Sequence, residues 1–136
     1  MERKAYPYAE ELIKQALCAR KNAYAPYSHF SVGAALLTKS GNIYTGCNIE
    51  NAAFGAGICA ERAAACVAIS QGKREFTALA VAAGDTPVSP CGICRQFLCE
   101  FGDFVLLMAS AKGEYTITTV EKLLPGAFTS FTSDNE

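Results

Sequence analysis

The sequence has no surplus of positive charge. Charged residues make up 18% of its 136 positions and the formal net charge is -1, so nothing is at hand to hold a polyanionic backbone by counterion release, and no nucleic-acid partner is expected. Nor does its N-terminus run into an uninterrupted apolar block. Met1-Glu2-Arg3-Lys4 runs into mixed polar and apolar residues without a small-residue cleavage site, which argues against a signal peptide and a membrane span and makes the cytoplasm the expected location. Linkers, internal repeats and low-complexity stretches are missing too. A hydrophobic content of 51% over this length suffices for one core, so residues 1–136 are read as a single domain. Histidine occurs once, and His29 lies in a loop away from every cysteine cluster, which reads as ordinary surface hydrogen bonding rather than metal binding. What the chain does have is cysteine. Seven thiols, an odd number without a secretory signal, argue against a disulfide framework and for groups that are buried, reactive or bound to metal.

From Tyr8 to Ala23 the apolar residues Leu12, Ile13, Ala16 and Leu17 recur at helical spacing opposite Glu10, Glu11, Lys14, Arg20 and Lys21, which predicts an amphipathic helix. Ala25-Pro26-Tyr27-Ser28 breaks it. Phe30–Thr38 and Asn42–Asn48 read as a hairpin turning at Lys39-Ser40-Gly41-Asn42. A glycine-rich stretch, Asn51 to Gly57, leads to an alanine-dominated helix over Cys59–Ser70, closed by Gly72. Phe76–Ala83 reads as a buried strand, followed by a helix from Cys91 to about Phe101. Strands over Phe104–Ala109 and Tyr115–Thr119 and a helical turn over Val120–Leu124 complete the order. This alternation argues for an α/β sandwich on one mixed sheet. Thr132–Glu136 are expected to be disordered.

Two short clusters carry the chemistry: Cys59-Ala60-Glu61-Arg62 and Pro90-Cys91-Gly92-Ile93-Cys94-Arg95-Gln96. The C-x-x-C pair falls at a predicted helix start, where free N–H groups and the positive end of the helix dipole stabilise thiolate. Catalytic zinc takes three protein ligands and leaves its fourth position to water. Cys59 is the natural third ligand, because it also opens a helix and a carboxylate, Glu61, follows two residues later. A lone C-x-x-C arises equally from redox motifs, structural zinc sites and chance. C-x-E upstream and proline before the pair match the signature of zinc-dependent nucleobase deaminases, in which three cysteines are a known variant ligand set.

On these residues the chain resembles the small cytidine deaminases of pyrimidine salvage. The resemblance runs from Ala23 through Phe128 and includes Ala25-Pro26-Tyr27-Ser28 with Phe30, Gly33-Ala34-Ala35-Leu36, Gly46 to Ala52, Ser89 to Gln96 and Leu123-Leu124-Pro125. It implies a three-layer α/β/α sandwich with a five-stranded mixed sheet, one zinc per chain on Cys59, Cys91 and Cys94, and a homotetramer whose subunits complete one another's pockets. It implies further that Asn48 and Glu50 bind the ribose hydroxyls, that Phe30 and Ala60 contact the nucleoside, and that Phe128 reaches it from a neighbouring subunit. An amide and a carboxylate at alternate positions of a strand point to one side, which suits a sugar diol. Tyrosine is usual near Phe54-Gly55 and threonine at Ala63, so these departures put loop shape in doubt and leave the reaction untouched.

Three thiolates make zinc a poor activator of water unless charge is withdrawn from sulfur, and Arg62 is the group placed to do so. Arg95 is as readily a packing residue. Glu61 then shuttles the two protons of the water, one to N3 and one to the departing amino group of the cytosine ring, so that cytidine or deoxycytidine loses ammonia and becomes uridine or deoxyuridine. Cys18, Cys47, Cys66 and Cys99 read as core packing, and Tyr24 and Tyr27 as packing or subunit contacts. The competing readings are a structural zinc module, which requires a fourth protein ligand, a deaminase of polynucleotides or a nucleoside antibiotic, and a thiol redox protein that needs neither Glu61 nor zinc.

Overall fold

The computed structural model describes residues 5–130. The expected disorder of Thr132–Glu136 and the reading of Met1-Glu2-Arg3-Lys4 fall outside the described residues. In chain order the elements are α1 (Ala9–Arg20), β1 (Gly33–Thr38), β2 (Ile43–Cys47), α2 (Ala60–Ser70), β3 (Phe76–Ala82), α3 (Gly92–Cys99), β4 (Val105–Ala109), β5 (Tyr115–Thr119) and α4 (Val120–Leu123). One five-stranded sheet forms in the order β2-β1-β3-β4-β5. Only β3 and β4 are parallel, with α3 as their crossover, so the sheet is mixed. Among the described residues no helix is long and apolar enough to cross a membrane.

Alternation along the strands separates two cores. Ala35, Leu37, Ala78, Ala80, Ala82, Leu107 and Ala109 face α1, which answers with Ala9, Leu12, Ile13 and Ala16. Ala34, Leu36, Leu79, Val81 and Leu106 face the other way, onto Ala60, Ala64, Ala65 and Ala68 of α2, Leu98 of α3 and Val120 of α4. The result is the three-layer α/β/α sandwich. Small residues let the layers close tightly, and two glycines mark the limit. A Cβ on Gly33 would lie 1.9 Å from the Ala16 carbonyl oxygen of α1, and one on Gly46 would lie 2.4 Å from the Ala64 nitrogen of α2.

The two largest boundary shifts from the sequence reading, three residues each, have visible reasons. α1 stops at Arg20 because Lys21, Asn22 and Ala23 turn tighter, donating to carbonyls three residues back. β1 begins at Gly33 instead of Phe30 because side chains replace the strand ladder there: Phe30 N–H donates to Ser28 Oγ at 3.0 Å and Val32 N–H to Asn48 Oδ1 at 2.9 Å. Phe54–Ala56 form a 3₁₀ turn within the glycine-rich stretch. Core packing for all four remaining cysteines is also corrected. Cys99 is buried and Cys47 half-buried, but Cys18 and Cys66 are exposed. Cys66 stands beside exposed Val67 on α2, whose buried face is Ala60, Glu61, Ala64, Ala65 and Ala68.

The register places one edge of the sheet for function. Gly33 pairs with both Cys47 and Ala82, so the ends of β2 and β3 and the start of β1 lie side by side. The loops Tyr27–Val32, Asn48–Asn51 and Gly84–Pro90 leave the sheet at that edge, outside the carboxyl end of the β3–β4 parallel pair, where open α/β sheets bind their ligands.

Candidate functional site

Two helix N-termini meet at this edge. Cys59 is the N-cap of α2 and Cys91 the N-cap of α3, both with extended backbones, and neither uses its side chain as a cap. Their sulfurs are therefore left to each other, 3.6 Å apart. Cys94, on the first turn of α3, is buried behind them, and the three Sγ atoms all lie within 4.8 Å of one another. Four ligands placed tetrahedrally about 2.3 Å from zinc put neighbouring sulfurs about 3.8 Å apart, so the cluster fits this ion. It is the group of cysteine, histidine or carboxylate side chains that could hold a metal among the described residues. His29 is not part of it.

The electrostatics match a thiolate centre. Arg62 Nη2 lies 3.8 Å from Cys59 Sγ, and Arg62 Nε is buried without a hydrogen-bond partner. Cys59 and Cys94 titrate as a pair: the hydrogen bond from Cys94, aided by Arg62 and Cys91, pulls Cys59 down to about 5, and the same bond together with burial pushes Cys94 up. Glu61 follows on the first turn of α2 and is 4% exposed. Burial, reinforced by the Cys59 charge, pushes its carboxyl up to about 7, which suits a group that must take and return protons near neutral pH. Arg95 does not assist at sulfur. It donates to the Pro90 carbonyl at 2.8 Å, the Leu123 carbonyl at 2.9 Å and Ser89 Oγ at 2.7 Å, and so fixes the chain entering Cys91 against α4.

A pocket of about 750 Å³ opens over these groups and is lined by Phe30, Asn48, Glu50, Cys59, Ala60, Glu61, Arg62 and Cys91. Sequence reasoning thus named residues that the fold brings together. Asn48 and Glu50 lie just past β2, where Ile49 extends the pairing through bridges to Tyr24 and Ile58. Phe30 is 46% exposed and faces the pocket instead of entering the core. Phe128 does not line the pocket of its own chain. Gln96 holds its backbone, donating to its carbonyl at 2.8 Å and accepting from its N–H at 3.3 Å, and its ring is 64% exposed. Tyr24 is exposed, and Tyr27 packs edge-on against Phe54 at the pocket's rim. Sequence reasoning gave no role to Ser28, which also lines the pocket and is bonded to Glu50.

The family model described as the cytidine and deoxycytidylate deaminase zinc-binding region matches residues 7–109. A cytidine deaminase of Sporosarcina psychrophila is 54% identical over 122 residues, covering 88% of this chain and 90% of that protein. The crystal structure of cytidine deaminase from Burkholderia pseudomallei, at 44% identity, superposes with a TM-score of 0.85 over 88% of this chain and 98% of its own. A blasticidin-S deaminase of Bacillus cereus is 31% identical over 107 residues, 72% of this chain and 76% of that protein.

Proposed function

From the premise that the chain belongs to the family of cytidine and deoxycytidylate deaminases, zinc-dependent hydrolytic enzymes, we propose that it converts cytidine and deoxycytidine to uridine and deoxyuridine with release of ammonia. The observation that carries this reading is Glu61, a buried carboxylate on the first turn of α2, in one pocket with Cys59 and Cys91 of the three-thiol cluster. Cys59, Cys91 and Cys94 hold the zinc. When bound, the metal supplies the acidity that makes water a nucleophile near neutral pH. Glu61 accepts one proton from the water that attacks C4 and delivers it to N3, then takes the second from the C4 hydroxyl so formed and passes it to the departing amino group, so that ammonia leaves and the C4 carbonyl remains. Arg62, donating to Cys59, withdraws charge from sulfur. Phe30 and Ala60 flank the nucleoside, while Asn48 and Glu50 hold its sugar and so favour a nucleoside over a free base.

The whole chain acts as one domain, in the cytoplasm and in pyrimidine salvage. It assembles as a homotetramer in which Phe128 enters a neighbour's pocket, a reading supported by a side chain that is exposed and does not line its own pocket. A second reading, deamination of a nucleoside antibiotic, is favoured by the 31% identity to a blasticidin-S deaminase.

The test is the fall in absorbance as purified protein converts cytidine, run beside zinc analysis, a cytosine control and blasticidin S. Turnover of cytidine but not cytosine, with about one zinc per chain, is expected. Zinc with turnover of blasticidin S alone would replace the first reading by the second. Neither zinc nor turnover would favour thiol redox chemistry.

A further inference from the structure

An exposed carboxylate on a loop is ordinarily free to swing, and a sugar ligand that swings must be ordered at every binding event. Glu50 is not free. Its Oε1 accepts the backbone N–H of Tyr27 at 2.9 Å and of Ser28 at 3.1 Å, and its Oε2 accepts the Ser28 hydroxyl. Ser28 Oγ in turn accepts the Phe30 N–H at 3.0 Å. Beyond Phe30, Asn48 continues the chain, donating from Nδ2 to the Phe30 carbonyl at 2.9 Å and accepting the Val32 N–H on Oδ1 at 2.9 Å. Three residues read as nucleoside contacts therefore belong to one network. The Ser28 hydroxyl joins the carboxylate arm to the Phe30 arm.

The chain accepts strain to make this junction. His29, between Ser28 and Phe30, sits at φ 58, the left-handed region that residues with a β-carbon avoid. That conformation turns the Phe30 N–H back onto Ser28 Oγ, two residues earlier. Strain in a sparsely populated region persists where the surroundings over-determine it, and it collects at binding sites. An ionised carboxylate offers about four acceptor positions, and the loop fills three of Glu50's. The one left, on Oε2, is available to a sugar hydroxyl, and the Ser28 hydroxyl bonded to the same oxygen fixes where it points.

We propose that Ser28 is a positioning residue for sugar recognition: its hydroxyl holds the Glu50 carboxylate and the Phe30 backbone in one fixed relation, so that the pocket meets the nucleoside's hydroxyls ready formed. This rests on the reading of Glu50 as a sugar ligand. It gives Ser28 no part in the chemistry at C4, so its effect is larger on substrates that carry the hydroxyls than on those that lack them, which feel only the Phe30 arm.

The test compares kcat/KM for cytidine and 2′,3′-dideoxycytidine in the wild type, Ser28→Ala, Ser28→Thr, Glu50→Gln and the Ser28→Ala/Glu50→Gln double variant, with zinc content and thermal melting measured on each. Loss of one charge-assisted hydrogen bond predicts about a 10-fold fall for cytidine in Ser28→Ala, with a distinctly smaller fall for the dideoxynucleoside, which keeps only the Phe30 contact. Ser28→Thr, which keeps the hydroxyl, recovers most of it, and the double variant loses less on cytidine than the two single losses combined. Equal losses on both substrates, or losses that add in the double variant, would overturn the proposal while leaving Glu50 a sugar ligand. If Glu50→Gln itself leaves the preference for cytidine over the dideoxynucleoside intact, the sugar reading of Glu50 falls and the role of Ser28 with it.

Discussion

The two ends of the pocket are built by different means. At the metal end Cys59, Glu61, Cys91 and Cys94 sit on or beside the first turns of α2 and α3, helices packed on the sheet through Ala64, Ala68 and Leu98. Their positions follow from backbone geometry. At the sugar end Phe30, Asn48 and Glu50 sit where the chain has left the sheet, and side-chain hydrogen bonds of Ser28, Asn48 and Glu50 itself set their positions. Proton transfer and metal binding fail when groups shift by fractions of an ångström, and rigid elements hold such groups best. Choosing a sugar tolerates a looser frame, which a hydrogen-bonded loop supplies.

The largest effect expected from separating the ends comes from Glu61→Gln. The substitution keeps the size of a side chain that is 4% exposed and removes its capacity to carry a proton. Turnover should fall by about 10² to 10⁴-fold, while zinc content and the affinity for uridine stay near wild-type values. Rate measurements with metal analysis on the same sample decide it. Full activity in a zinc-loaded Gln variant would remove Glu61 from the mechanism.

A smaller effect is expected where the two ends are joined. Gly46 lies two residues before Asn48 on β2 and touches α2, where an added Cβ would meet Ala64 N at 2.4 Å and Ala60 O at 2.9 Å. Both contacts are backbone atoms, so α2 must move. Gly46→Ala should destabilise the fold by about 1–3 kcal/mol, as overpacking does, and should lower activity by shifting Glu61 against Asn48. Urea denaturation measures the first and cytidine turnover the second. A variant as stable and as active as the wild type would show that the helix-to-strand spacing is not what aligns the ends.

The same division decides what the sequence makes legible. The metal end could be read because its chemistry is local: C-x-E and P-C-x-x-C each span a few residues at the start of one helix. Element order was legible too, since β3 is apolar almost throughout and α1 is amphipathic. The face of α2 was not. With alanine at Ala60, Ala63, Ala64, Ala65 and Ala68, the helix is apolar nearly all round, so periodicity could not tell that Cys66 points outward. The start of β1 was hidden for another reason: the bonds that end the ladder at Gly33 come from Asn48 and Ser28 side chains. The bond from Ser28 to Glu50 spans 22 residues, and no local pattern announces it.

The finest test of the comparison bears on strain. No residue at the metal end adopts a positive φ, and among the described non-glycine residues His29 alone does. Glycine reaches that region at no steric penalty, so His29→Gly removes the strain at the sugar end and adds backbone freedom to the unfolded chain. The two effects oppose each other, and the net change in stability should be small, a gain of up to about 1 kcal/mol. The catalytic rate at saturating cytidine should stay within about 2-fold of wild type, because the metal end shares no bond with His29. Thermal melting and kcat together read the outcome. A loss of stability would mean that the left-handed turn is relaxed in solution and that the Ser28 junction is held without it.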